Sequence, residues 1–145
     1  MIVFNNKEHG YQIAKAIPRS FNPAVDQVIS NVTSEGNLLG GVIYEGMTSN
    51  CIFMHQAGFS KKWMSADLLW VLFDYPFNQL DLGVVCGTIP SSKSELLDFN
   101  LRLGFKVECV VRGAYKDGDL IVMAMRKAEC RWLTVKPKSV KRGSK

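Results

Sequence analysis

Residues 101–108, LRLGFKVE, join a leucine-rich segment to an alternating segment through a single glycine. Downstream of that glycine, apolar and polar residues alternate from Phe105 to Arg112, as in a half-buried strand. Glycine adopts the left-handed conformation of a helix exit without strain, so we expect a helix to end at Gly104 and a strand to begin at once. Upstream, the side chains that share one helical face are Leu96, Phe99, Asn100 and Leu103.

Two further helices are predicted from spacing and capping residues. Residues 22–33, NPAVDQVISNVT, carry valine and isoleucine at helical spacing, and Asn22 suits a cap before a first-turn proline. Residues 65–75 have a strongly apolar face, Ser65 as the cap, and a proline at position 76 that should end the helix. We therefore expect one helix ahead of the central strands and one among them.

The remaining segments read as strands and as the third helix. Ser92 and Glu95, after a proline, have the spacing of a capping box for the helix that ends at Gly104. Short runs rich in aliphatic residues predict an antiparallel pair, a buried strand and a terminal hairpin. These runs are 37–46 and 50–58 for the pair, 80–88 for the buried strand, and 105–112 with 120–127 for the hairpin.

The net charge of +5 is concentrated at one end of the 145-residue chain. Residues 127–145 contain seven Lys or Arg and one acid, which gives +6, and the remainder therefore carries −1. We predict a single domain over residues 1–133 and a basic, flexible tail over residues 134–145. An arm for nucleic acid or an acidic partner is the weaker alternative for that tail.

Metal binding, membrane insertion and export are not indicated. The four cysteines lack C-x-x-C spacing, and only His9 and His55 add nitrogen ligands, so we predict reduced cysteines and no metal site. No apolar run reaches the roughly 18 residues of a spanning helix, and the first ten residues lack a secretory pattern. The expectation is a cytoplasmic protein without a membrane partner.

The order of these elements, closing in LRLGFKVECVVRGAYKDGDLIVMAMRK, resembles the GNAT acetyltransferase superfamily. The resemblance covers about residues 37–133 and is closest to the ribosomal-protein alanine acetyltransferase branch and to small acetyltransferase-like proteins of tailed bacteriophages. It implies an α/β (α+β) fold with a mixed, mostly antiparallel central sheet flanked by helices. For a phage-encoded member it implies the host cytoplasm or the virion. The matching positions are Leu103, Gly104, Phe105, Glu108, Arg112, Asp117 and Gly118.

The resemblance also implies acetyl-CoA as co-substrate and suggests where it binds. One arm of CoA would lie along the strand that holds Phe53, Met54 and His55, with the pyrophosphate at the start of the next helix. Helix N-termini attract anions through free N–H groups, and two lysines precede this one. The implied phosphate-binding residues are Lys61, Lys62, Trp63, Met64, Ser65 and Ala66.

The phosphate segment departs from the superfamily pattern. The usual motif is Arg/Gln-x-x-Gly-x-Gly/Ala, whereas this chain has SKKWMS, in which Trp63 and Ser65 replace the glycines. An indole there either narrows the cradle or points away, and lysine charge compensates only in part. The alternative interpretation is a solvated loop with Trp63 packed on the core.

Two residues are predicted to serve catalysis. His55 lies on the strand assigned to the acetyl group, and its ordinary pKa near 6.5 suits a base that accepts an amine proton. The alternative is that His55, at a strand end, only forms a hydrogen bond with a neighbour. Asn100 stands where many members have a tyrosine acid, so it can donate a hydrogen bond to thiolate but cannot release a proton. Glu45 and Glu108 are secondary candidates for the base.

Two classes of function follow. The first is an N-acetyltransferase that moves acetyl from acetyl-CoA to an amine by direct attack in a ternary complex, protein N-termini and lysines being among the acceptors. The alternative is a catalytically inactive protein of the same fold, acting as a structural or binding component such as part of a phage virion. Virion proteins and further copies of this chain are the partners considered, with nucleic acid only weakly indicated.

Overall fold

Seven strands form one mixed sheet in the computed structural model, which describes residues 1–138. The order across the sheet is β1-β2-β3-β4-β5-β7-β6, and every pair is antiparallel except β4 with β5. This architecture confirms the predicted mixed, mostly antiparallel sheet. The strands are β1 (Ile2–Phe4), β2 (Gln27–Val32), β3 (Leu38–Glu45), β4 (Cys51–Gly58), β5 (Val84–Pro90), β6 (Lys106–Tyr115) and β7 (Gly118–Arg126).

Three α-helices within residues 1–138 cover the two faces of the sheet. They are α1 (Lys7–Ala16), α2 (Ala66–Asp74) and α3 (Ser94–Leu103), and a π-helical turn, Tyr75–Gln79, continues α2. The larger core forms on the face of α2 and α3, and a smaller cluster around Ile13 forms under α1 on the other face. Among residues 1–138, no helix combines the length and apolar character that crossing a membrane would require.

The predicted helix over residues 22–33 is wrong. Asn22 begins only a short turn, in which its Oδ1 accepts from the N–H of Ala24 at 3.0 Å, and β2 follows. Val28 packs into the cluster under α1, whereas Ile29 packs into the larger core on the opposite face. A strand buried on both faces is apolar at successive positions, and this pattern imitates helical spacing.

The first helix of the fold was missed by the same reasoning. Helix α1 begins after Asn6, whose Oδ1 accepts from the backbone N–H of His9 at 3.1 Å. Of its ten residues only Gly10, Ile13 and Ala14 are buried, so the helix presents a narrow apolar face. That face is too small to give a clear periodic signal in the sequence.

Two predicted helix boundaries, the start of α2 and the end of α3, are confirmed. Helix α2 is capped by Ser65, whose Oγ accepts from the N–H of Leu68 at 3.1 Å. Gly104 ends α3 at φ 111°, in the left-handed region that favours glycine. The capping box predicted from Ser92 and Glu95 is wrong, because α3 begins at Ser94 without a side-chain cap.

Strand β6 differs from the half-buried strand that its alternation predicts. All ten of its residues are exposed, including Val107, Val110 and Val111. The strand forms the edge of the sheet beyond β7, and the buried residues of the junction, Leu103 and Phe105, come before it. The predicted change from helix to strand at Gly104 is therefore confirmed, whereas the predicted half-burial of the strand is wrong.

The chain after β7 returns to the domain. The indole Nε1 of Trp132 donates to the carbonyl of Leu103 at 2.7 Å, and Val135 packs against the larger core. The backbone N–H of Lys138 donates to Oδ1 of Asp67 at 2.7 Å, in the first turn of α2. Residues 134–138 of the predicted tail thus contact the domain, and the remainder of that tail, 139–145, lies outside the described residues.

Candidate active site

The two strands at the centre of the sheet, β4 and β5, separate partway along their length. Within the described chain their ladder spans only Cys51–Phe53 and Val84–Cys86. β4 nevertheless stays paired with β3 as far as Gly58, and β5 stays paired with β7 as far as Pro90. Backbone groups on the facing edges beyond the ladder therefore border a gap in the sheet.

A cavity of about 470 Å³ occupies this gap. His55 pairs with Ile43 of the α1 face, whereas the flanking Met54 and Gln56 point to the face of α3, because side chains alternate along a strand. The cavity therefore opens through the sheet from one face to the other. Its lining is Ile17, Pro18, Arg19, Met54, His55, Gln56, Gly87, Thr88, Ile89, Pro90, Ser92, Lys93, Leu96, Asn100, Phe105, Tyr115 and Asp117.

His55 is held by Glu45 on the α1 face. Its Nε2 lies 2.8 Å from Oε1 of Glu45, and the same oxygen lies 3.7 Å from Nη1 of Arg19. With Nε2–H donating to the carboxylate, Nδ1 keeps its lone pair, and it has no hydrogen-bonding partner among residues 1–138. The alternative interpretation of His55, a hydrogen bond to a neighbour, therefore describes it. The residue also lines the cavity, and its role as a base stays a prediction.

Burial sets the protonation of His55. Desolvation lowers its pKa below the ordinary 6.5, the hydrogen bond with Glu45 raises it in part, and the Arg19 charge lowers it further. The imidazole is therefore neutral at neutral pH and able to accept a proton. Glu45 is a fixed neighbour of this group and was predicted only as a secondary candidate.

Asn100 reaches the same cavity from α3. Its Nδ2 donates to the carbonyl of Leu96 at 2.9 Å, one turn earlier in the helix. This bond uses one of the two amide hydrogens, so the other remains for a ligand. The structure thus brings His55 and Asn100, the two predicted catalytic residues, to one cavity from opposite faces of the sheet.

A groove of about 490 Å³ continues from the cavity toward the start of α2. Gln56 and Leu96 line both spaces and mark their junction. Lys61 and Trp63 of the predicted phosphate segment line the groove. Its other lining residues are Gly58, Phe59, Ser60, Glu95 and Phe99.

The indole of Trp63 packs on the sheet. A Cβ built on Gly58 would lie 2.2 Å from the indole Nε1, and one on Gly40 would lie 2.7 Å from the ring. The backbone carbonyl of Trp63 also accepts from Nδ2 of Asn31 at 2.9 Å. Trp63 thus packs against the core, as the alternative interpretation describes, while one side of the ring borders the groove.

The other predicted binding residues stand around these spaces. Phe53 lies in the paired part of β4, with its ring stacked on that of His55 at 6.5 Å between centroids. Met64 packs against the larger core, and Ser65 caps α2. Within residues 1–138, neither the cavity nor the groove is lined by these three residues or by Lys62 and Ala66.

Several lining residues were not predicted. Arg19 follows α1, a helix that the sequence pattern did not reveal, Tyr115 ends β6, and Asp117 lies in the turn of the terminal hairpin. Gln56 stands at alternate spacing from Ile52 and Met54, but only the structure shows that this face of β4 is the one packed in the larger core. The Nε2 of Gln56 is buried and has no hydrogen-bonding partner among the described residues.

Comparisons with known proteins bear on the fold. No family model matches the chain, and no curated protein matches it significantly. Solved structures do match, including mutant forms of the spermidine/spermine N-acetyltransferase SpeG from Vibrio cholerae. The identity is 11%, the TM-score is 0.71, and the match covers 88% of this chain and 96% of that one.

Two further solved structures also have a similar fold. The Vibrio cholerae spermidine N-acetyltransferase in complex with CoA and spermine has a TM-score of 0.65 at 12% identity, over 82% of this chain and 74% of its own. A GNAT-family acetyltransferase from Bacillus anthracis has a TM-score of 0.62 at 13% identity, over 83% and 87% of the two chains. Likeness at such low identity concerns architecture, and the chain accordingly has the fold of the GNAT acetyltransferases.

Proposed function

We propose that the protein is an N-acetyltransferase that moves an acetyl group from acetyl-CoA to an amine. The observation that carries this proposal is the cavity through the sheet between β4 and β5. It has a neutral, carboxylate-held histidine toward the α1 face and a connected groove on the α3 face. Two reactants can therefore meet inside the sheet from opposite sides.

The groove and the cavity together suit a long, flexible thioester with a phosphate end. The exposed edge of β4 beyond Phe53 offers backbone groups to an extended arm. At the far end, Lys61 contributes charge next to the N-terminus of α2, where free N–H groups favour an anion. The CoA complex of the Vibrio cholerae neighbour supports testing acetyl-CoA first.

In the proposed reaction the nitrogen of the neutral amine, which has already lost its ammonium proton to solvent, attacks the thioester carbonyl carbon. A C–N bond forms, the C–S bond breaks, and the electron pair of that bond leaves with sulfur. His55 accepts the proton that the amine loses, through Nδ1, while Glu45 holds Nε2–H and stabilises the imidazolium. General-base help of this kind contributes about 10²–10⁴ in rate.

The departing thiolate is assigned to the α3 side of the cavity. Asn100 has one amide hydrogen beyond its bond to Leu96 and donates it to sulfur in this scheme. It supplies no proton, so the thiolate leaves as the anion or takes a proton from water. A thiol pKa near 8.5 makes such a leaving group acceptable at neutral pH.

The acceptor is proposed only as an amine. Spermidine and spermine, the amines named for the Vibrio cholerae neighbours, are candidates, as are protein N-termini and lysines. The lining offers one carboxylate, Asp117, against the cations Arg19 and Lys93. Because this balance does not favour a polycation, the acceptor panel should include neutral and carboxylate-bearing amines.

The test is amine-dependent release of CoA thiol from acetyl-CoA, with the acetylated product identified by mass spectrometry. The panel would contain spermidine, a lysine peptide, a peptide with a free N-terminus, a monoamine without other charged groups and an amine that carries a carboxylate. We expect turnover with at least one class of amine and loss of about 100-fold or more in His55→Ala. No thiol release above the buffer rate, for any class, would reject the proposal.

A further inference from the structure

Gln56 occupies a position that apolar residues otherwise hold. It lies on β4 beyond the end of the β4–β5 ladder, opposite Val42 of β3. Val42, Ile52 and Met54 on this face all belong to the larger core. A glutamine at this point thus places a polar amide beside apolar neighbours.

The amide of Gln56 is incompletely satisfied in the free protein. Its Nε2 is buried, and none of residues 1–138 forms a hydrogen bond with it. A buried donor without a partner lowers stability, because it has lost its hydrogen bonds to water and gained none in return. A leucine of similar size would avoid that cost, so folding alone does not account for the glutamine.

The location of Gln56 indicates what the amide serves. Together with Leu96 it lines both the cavity through the sheet and the groove toward Lys61. A chain-like ligand that extends from the groove into the cavity must pass this junction. An N–H donor at the junction can be satisfied by a carbonyl oxygen on such a ligand.

We propose that Gln56 Nε2 donates a hydrogen bond to an amide carbonyl in the pantetheine arm of the acyl thioester. This inference rests on the proposed function, because it assigns a recognition residue to the acetyl-CoA site. Gln56 is a specificity residue in this scheme: it distinguishes thioesters with an amide-bearing arm, and it takes no part in proton transfer. The donor unpaired in the free protein gains its partner when the arm binds.

Calorimetric titration of CoA and thermal unfolding test the proposal on the full chain of wild type and Gln56→Leu. We expect the variant to unfold at a higher temperature than wild type, because the unpaired donor is gone. We also expect it to bind CoA about tenfold more weakly, the effect of losing one hydrogen bond. Gln27→Leu makes the same chemical change on β2, outside the lining of both spaces, and as the matched control it should keep wild-type affinity.

A second ligand distinguishes recognition of the pantetheine arm from recognition of the nucleotide. Adenosine 3′,5′-bisphosphate lacks the arm, so Gln56→Leu should bind it as wild type does. Equal weakening for both ligands would overturn the proposal, as would weaker CoA binding accompanied by a lower unfolding temperature. Unchanged CoA affinity in Gln56→Leu would overturn this proposal and leave the proposed function standing. Absence of CoA binding by wild type would overturn both.

Discussion

The Nε2 of His55 lies 2.8 Å from Oε1 of Glu45, two residues on neighbouring antiparallel strands. Glu45 pairs directly with Phe53, so the bond crosses diagonally between β3 and β4. It fixes which ring nitrogen carries the proton and leaves Nδ1 as the base. The register between β3 and β4 therefore places Glu45 where it holds His55 in the tautomer that the proposed reaction requires.

The acid limb of the pH profile follows from the protonation of His55. Because burial lowers its pKa below 6.5, the neutral imidazole is gained as pH rises through a value below 6.5. We expect the rise of log kcat/KM that belongs to His55 to be complete by neutral pH, whereas deprotonation of the acceptor amine adds a separate rise near its own pKa, about 7.7–8.0 for a peptide N-terminus. With one such peptide as the acceptor throughout, a profile whose limb below pH 6.5 is the same in His55→Gln as in wild type would contradict this assignment.

Glu45→Gln changes that profile in a defined direction. The hydrogen bond and charge of Glu45 both raise the pKa of His55, so removing the charge should move the acid limb to lower pH. The plateau of kcat/KM should also fall, by about tenfold, because the imidazolium loses its carboxylate partner. Glu108→Gln, a charge change on exposed β6, is the matched control and should leave the limb in place. A limb that moves to higher pH in Glu45→Gln would refute the pairing.

The two lysines before α2 should contribute unequally to acetyl-CoA binding. Lys61 lines the groove, whereas Lys62 is outside the lining. Lys61→Ala should weaken binding by about threefold to tenfold, as expected for one screened charge contact, and Lys62→Ala should have a smaller effect. Calorimetry at two salt concentrations measures both, and the difference should shrink at high salt. Equal effects of the two substitutions would show that the groove does not hold the phosphates.

The segment after Leu133 should contribute to stability. Truncation after Leu133 removes Val135 from the core surface and the bond from Lys138 to Asp67, whereas truncation after Lys138 keeps both. Burial of one valine contributes about 1–2 kcal/mol, which corresponds to roughly 3–8 °C in unfolding temperature. Calorimetry of the two truncated chains should show the shorter one unfolding at the lower temperature. Identical unfolding temperatures would mean that these contacts add nothing.

The cysteines should differ in reactivity. The Sγ atoms of Cys51 and Cys86 lie 3.2 Å apart, and burial together with this neighbour raises the pKa of Cys86 to about 12. Cys109 is exposed on β6. Because thiolate is the reactive form, alkylation at about pH 8 should modify Cys109 well before Cys86. Mass mapping after timed iodoacetamide treatment decides the order, and early modification of Cys86 would contradict it.

Elements with strong local signals could be predicted from the sequence. The cap at Ser65, the glycine exit at Gly104 and the terminal hairpin depend on neighbouring residues, so spacing alone reveals them. Strand β2 could not be distinguished from a helix because both of its faces are buried, and its second cover is α1, a helix with a weak pattern of its own. The cap at Ser65 and the glycine exit at Gly104 were predicted correctly, but the capping box of Ser92 and Glu95, also a local signal, was not. The helix and strand errors arose where the outcome depended on long-range packing.

The candidate site was predictable only in part for the same reason. His55 and Asn100 were identified through a resemblance, and the structure places them in one cavity. Glu45 became a firm neighbour of His55 only through the β3–β4 register. Gln56 required knowledge of which face of β4 is covered, and Arg19 required α1.

Amide chemical-shift mapping with acetyl-CoA shows whether the ligand enters the gap between β4 and β5. We expect saturable shifts for residues 54–58 of β4 and for 61–66 before α2, with little change in β1 and β2 at the other end of the sheet. Saturable shifts confined to other parts of the chain, or none at all at millimolar acetyl-CoA, would contradict it.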